Sequence, residues 1–126
     1  MVGHTGAREA SILAVESVDL SLGRLLAVVE SRGGIALVTA DHGNADEMYE
    51  RTKSGAIDCD ETTGRPKPKT SHSLNPVPFI VADYTAPTAR LLRDDLPQAG
   101  LANVAATVLQ ILGYEAPEGY EPPLLR

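Results

Sequence analysis

The chain has 126 residues and a mass of 13.3 kDa, with 43% hydrophobic and 22% charged side chains, which excludes a disordered polymer and predicts one globular domain. Eleven basic against 17 acidic residues give a net charge of −6, and no segment interleaves Lys and Arg with aromatics, so nucleic acid is not an expected partner. The single cysteine, Cys59, excludes an internal disulfide, and no apolar run approaches the roughly 20 residues of a bilayer span, so a cytoplasmic protein without membrane contact is expected.

From Ala7 to Arg32 the residues Ile12, Val15, Val18, Leu22, Leu25, Leu26 and Val29 recur every three or four positions and predict a long amphipathic helix. Thr5 and Gly6 form its expected entry, and Gly33-Gly34 its stop, because glycine accepts the left-handed conformation of a helix end. Gly23, in mid-helix, suggests close packing. Ile35 to Ala40 is a short apolar run without polar alternation, as in a strand covered on both faces. The polar stretch Glu50 to Thr70 reads as an inserted loop, within which Lys53 to Asp60 could pair with Gly64 to Lys69. A second strand is expected at Val77 to Ala82. A second helix is expected from Leu101 to Leu112, with Val104, Ala105, Val108, Leu109 and Leu112 on its apolar face and Gly113 ending it. The tail Ala116 to Arg126, carrying Pro117, Pro122 and Pro123, should run extended over the surface.

Helix, glycine turn and buried strand are the grammar of an α/β fold. A chain of this size should bury roughly two-thirds of its unfolded surface, yet two strands leave open edges that call for cover.

All three histidines stand at element boundaries: His4 before the long helix, His42 after the first strand and His72 before the second. Ligands of open α/β sheets bind outside the carboxyl ends of strands. Asp41-His42 occupies that position, and a carboxylate beside an imidazole can reach one divalent cation. Taken singly, His4 and His72 read as ordinary loop residues. Asn75-Pro76-Val77-Pro78 stiffens the approach to the second strand. Ser11, Ser21 and Ser31 read as helix-surface residues, Asp46 and Glu47 as the start of a helical turn, and Arg65, Lys67 and Lys69 as a solvated loop.

Three strings occur in order: Met1-Val2-Gly3-His4-Thr5-Gly6, Thr39-Ala40-Asp41-His42-Gly43-Asn44-Ala45-Asp46 and Thr70-Ser71-His72-Ser73-Leu74-Asn75-Pro76-Val77-Pro78-Phe79. Together they closely resemble the carboxyl-terminal part of the cofactor-independent (2,3-bisphosphoglycerate-independent) phosphoglycerate mutases. The resemblance implies an alkaline-phosphatase-like three-layer α/β domain with a mostly parallel sheet, of which residues 1–126 are a carboxyl-terminal part, truncated at the amino terminus. It also implies two divalent ions, Mn2+ first and Zn2+, Co2+ or Mg2+ as alternatives, with His4 and His72 on one ion and Asp41 and His42 on the other. The implied reaction is the glycolytic interconversion of 3-phosphoglycerate and 2-phosphoglycerate through a phosphoserine, in a parent enzyme expected to be monomeric. The family's serine nucleophile, its arginine-bearing substrate domain and the aspartate preceding the first string have no counterpart here, so no catalytic residue is assigned and the chain alone is expected to be inactive. Another phosphatase or phosphomutase of the superfamily, or a non-catalytic metal-binding protein, would also accommodate Asp41-His42-Gly43.

Overall fold

The computed structural model describes residues 1–86 and 90–126. The order of elements is a 3-10 turn at Val2–Thr5, helix α1 (Arg8–Ser31), strand β1 (Ile35–Thr39), strand β2 (Phe79–Asp83), a 3-10 turn at Leu101–Asn103 and helix α2 (Val104–Ile111). β1 and β2 pair in a two-stranded sheet, giving the expected α/β class. The chain divides into two compact units, Met1–Ala82 and Asp83–Arg126. No helix among the described residues is long and apolar enough to cross a membrane.

In the first unit, α1 starts where the Ala7 N–H donates to Thr5 Oγ1 at 3.2 Å, while the Thr5 hydroxyl donates to the Val2 carbonyl. It ends as Gly33 turns left-handed, with φ 57, and the Gly33 and Gly34 amides close back on the Glu30 and Val29 carbonyls. Gly23 meets nothing: a Cβ placed there would face open space, so the expected close packing is absent. Of the anticipated face, Leu22, Leu26 and Val29 are half-buried, whereas Ile12, Val15, Val18 and Leu25 remain exposed, together with Leu13, Leu20 and Val28. Ser11, expected on the surface, is buried and returns its hydroxyl to the Ala7 carbonyl. With apolar residues around most of its circumference, α1 has more face than β1 can cover. The whole chain accordingly exposes 9268 Å², against about 6,500 Å² for an ordinary folded monomer of its mass. Roughly half of the unfolded surface is removed from water, not the expected two-thirds.

The stretch between the strands is built rather than loose. Glu50 N–H donates to the Lys67 carbonyl, Lys67 N–H to the Asp58 carbonyl and Asp58 N–H to the Glu50 carbonyl, a closed triangle of three extended segments. The anticipated pairing is found at Cys59 against Pro66, and Tyr49 pairs with Pro68 beside it. Lys67 and Lys69, expected to be free in solvent, are ion-paired with Asp58 at 3.0 Å and with Glu47 at 2.5 Å.

The second unit is organised by α2 and the tail. Its core is Ala106, Leu124 and Leu125 with the polar Asn103 and Thr107. Thr107 Oγ1 donates to the Asn103 carbonyl and accepts the Leu124 N–H, both at 2.8 Å, and Asn103 Nδ2 donates to the Pro122 carbonyl. This corrects the expected apolar face: Val108 and Leu112 are exposed, because the tail is fastened to the opposite, polar side of the helix. The tail is not merely a surface strap, since Leu125 pairs with Leu92 and is 2% exposed.

Candidate metal centre

Three separate segments carry one imidazole each to the same place. His4 sits in the first 3-10 turn, His42 directly beyond β1 and His72 in the extended run before β2. The ring centroids of His4 and His72 are 5.1 Å apart, those of His4 and His42 6.3 Å, and those of His42 and His72 3.5 Å with the planes stacked.

Glycines next to the histidines permit this approach. A Cβ on Gly3 would overlap the Asn44 side chain, one on Gly43 would overlap Ser73 Oγ and the Asp46 carboxylate, and one on Gly6 would come within 2.6 Å of Pro68 Cβ. Gly6 also holds φ 69, a left-handed conformation that lets the chain leave the 3-10 turn for α1. Polar links then fix the segments. Asn44 Nδ2 donates to the Ser71 carbonyl at 3.2 Å, and the Ser73 N–H donates to the Gly43 carbonyl at 2.9 Å.

Two of the rings are oriented through Nδ1, which lies 2.8 Å from the Thr70 carbonyl in His4 and 3.2 Å from the Gly43 carbonyl in His42. Ring orientation by a backbone carbonyl is usual for metal-ligating histidine and leaves Nε2 as the nitrogen available to an ion. Asp41 Oδ2 stands 3.5 Å from His42 Nε2, and its side chain is largely exposed. Imidazole nitrogens with one carboxylate suit a divalent transition cation in chemistry. Among the described residues no group of three or more His, Cys, Asp or Glu side chains converges to hold an ion by itself. The four expected residues therefore stand as donor pairs, not as a closed coordination shell.

Sequence reasoning missed the residues that join the segments. Asp46 and Glu47 open no helical turn; the backbone makes one turn, Glu47 N–H to the Asn44 carbonyl, and continues extended. Asp46 instead accepts hydrogen bonds from Ser73 Oγ at 2.7 Å and Asn75 Nδ2 at 2.5 Å, and these partners, Ser73 first, hold its carboxyl below the usual range. Glu47 is likewise lowered, first by Lys69 and then by Arg51. The only local signal for this assembly was a glycine beside His4 and another beside His42.

Comparison with known proteins gives three concordant results. Residues 1–116 match the model of the metalloenzyme superfamily. The chain is 48% identical over 125 residues to a 2,3-bisphosphoglycerate-independent phosphoglycerate mutase of Trypanosoma brucei brucei, and 44% identical to one from Ricinus communis, covering 99% of this chain and 22% of each relative. A crystal structure of Leishmania mexicana phosphoglycerate mutase at low cobalt concentration superposes with a TM-score of 0.93 at 49% identity, over 99% of this chain and 23% of that one. The chain thus spans about a fifth of the length of the relatives it matches.

Proposed function

The chain belongs to the metalloenzyme superfamily, and from that premise we propose that it carries histidine and aspartate ligands of the metal centre of a 2,3-bisphosphoglycerate-independent phosphoglycerate mutase. The observation that carries the reading is the gathering of His4, His42 and His72, from three segments far apart in sequence, with ring centroids no more than 6.3 Å apart. The similarity to mutases along the whole chain supports it.

In this reading His4 and His72 hold one divalent ion and Asp41 and His42 the other, with manganese as the expected metal. When bound, such ions lower the pKa of a nucleophile and neutralise charge on a transferring phosphoryl group. The work of this chain is positional. The Thr70 carbonyl turns His4, and the Gly43 carbonyl His42, so that Nε2 is the ligating atom in each. Asp41 adds a negative charge that offsets part of the cation's. The substrate of the complete site is a phosphoglycerate, its phosphate moving between the 3- and 2-positions through a serine outside these residues. We place the protein in glycolysis in the cytoplasm, as part of a phosphatase-like domain in which Glu50 to Thr70 is an insertion, within a monomeric parent.

Calorimetric titration of the chain with manganese and with zinc, beside the double variant His42→Ala/His72→Ala, tests the reading. Binding by the wild type that disappears in the variant supports it, and uptake of either ion that the double variant retains unchanged overturns it. Turnover of 3-phosphoglycerate by the purified 126 residues would refute the assignment of the nucleophile to another part of the enzyme.

A further inference from the structure

Asp46 is none of the four expected ligands, yet the loops bearing His42 and His72 are joined at its carboxylate. Oδ2 receives both Ser73 Oγ and Asn75 Nδ2. Ser73 is only 5% exposed, so its hydroxyl depends on this acceptor. The same two loops are tied by the Ser73 N–H on the Gly43 carbonyl, and the space a Cβ of Gly43 would fill is taken by Ser73 Oγ and the Asp46 carboxylate. His42 immediately precedes Gly43, and His72 immediately precedes Ser73. Whatever fixes Gly43 against Ser73 therefore fixes one imidazole against the other.

We propose that Asp46 is a positioning residue of the metal centre: by holding Ser73 and Asn75 against the 42–46 turn, it sets the register in which His42 and His72 face a divalent ion. The proposal rests on the metal-centre reading above and goes beyond it, since that reading assigns Asp46 to neither ion and its carboxylate is taken up by Ser73 and Asn75. Charge is not the essential property. An oxygen that accepts from both Ser73 and Asn75 is, so asparagine should substitute for aspartate where alanine cannot.

Cobalt(II) titration of the chain, followed by the visible d–d absorption, provides the test, because band position reports the ligand geometry at saturation and not only whether the protein is folded. In Asp46→Ala the affinity should fall about 10- to 100-fold, the usual effect of removing an outer-shell partner, and the band at saturation should move. Asp46→Asn should restore the wild-type band and most of the affinity. Wild-type affinity and spectrum in a folded Asp46→Ala would overturn the proposal while leaving the metal-centre reading intact. If circular dichroism shows Asp46→Ala unfolded, Ser73→Ala decides: a shifted cobalt band supports the proposal and an unshifted band overturns it. Cobalt binding that survives unchanged in His42→Ala/His72→Ala overturns both.

Discussion

The imidazole of His72 lies flat on that of His42, with centroids 3.5 Å apart and planes inclined by 14°. Each ring is thus within the ring-current field of the other, whereas His4 meets both at a steep tilt of 52° to 57°. Substituting His72→Ala should move the His42 ring proton resonances downfield, and His4→Ala should move them much less. Equal responses to the two substitutions in a proton–carbon correlation spectrum would sink the stacked arrangement.

Two glycines should respond to alanine with opposite signs. Gly43→Ala forces a methyl group into Ser73 Oγ and the Asp46 carboxylate, and overpacking of this kind costs about 1–3 kcal/mol. Gly23→Ala meets open space in the interior of α1, where alanine is favoured over glycine by about 1 kcal/mol. Urea unfolding should show a lower midpoint for the first variant and a higher one for the second.

Thr107 should be intolerant of its apolar isostere. Its side chain is fully buried, and its hydroxyl is the acceptor for the Leu124 N–H. Thr107→Val leaves that amide without a partner, at a cost of about 1–3 kcal/mol. Hydrogen exchange at Leu124 should accelerate far more than at the β1 amides of the other unit, and uniform acceleration would contradict the assignment.

Asp95 gives a pH prediction. Both of its carboxylate oxygens accept from the Arg93 guanidinium at 2.9 Å, which pulls its pKa from 3.8 down to about 2. A depressed carboxyl contributes stability that is fully present above its unfolded value and is lost as protons bind the folded state. The contribution should therefore fade as pH falls from 3.8 through about 2. A carbon-detected titration of the Asp95 carboxyl should place its midpoint near 2, and Arg93→Gln should return it toward the ordinary range.

The local elements were legible because their signals are local. Periodicity with a glycine stop placed α1 to within a residue at each end, and β1 and β2 fell within two residues of expectation. The buried face of α2 was not legible, because hydropathy favours Val108 and Leu112, whereas the partner is a tail fastened through the hydroxyl of Thr107. In the candidate site, three motifs pointed to the histidines and to Asp41. Asp46 escaped because its partners lie 27 and 29 residues away and no spacing rule links a carboxylate to a distant serine.

The built excursion between the strands also changes the topology of the chain as a polymer. Closing a flexible loop costs entropy that grows with the logarithm of its length. The Lys69 N–H bond to the Met48 carbonyl, secured by the triangle of Glu50, Asp58 and Lys67, removes the excursion from that count. The path from His42 to His72 then runs through 42–48, one hydrogen bond and 69–72. An excursion closed by its own hydrogen bonds thus acts as a non-covalent staple, and the imidazoles are joined through a tether shorter than the 30-residue separation of His42 and His72 in the sequence.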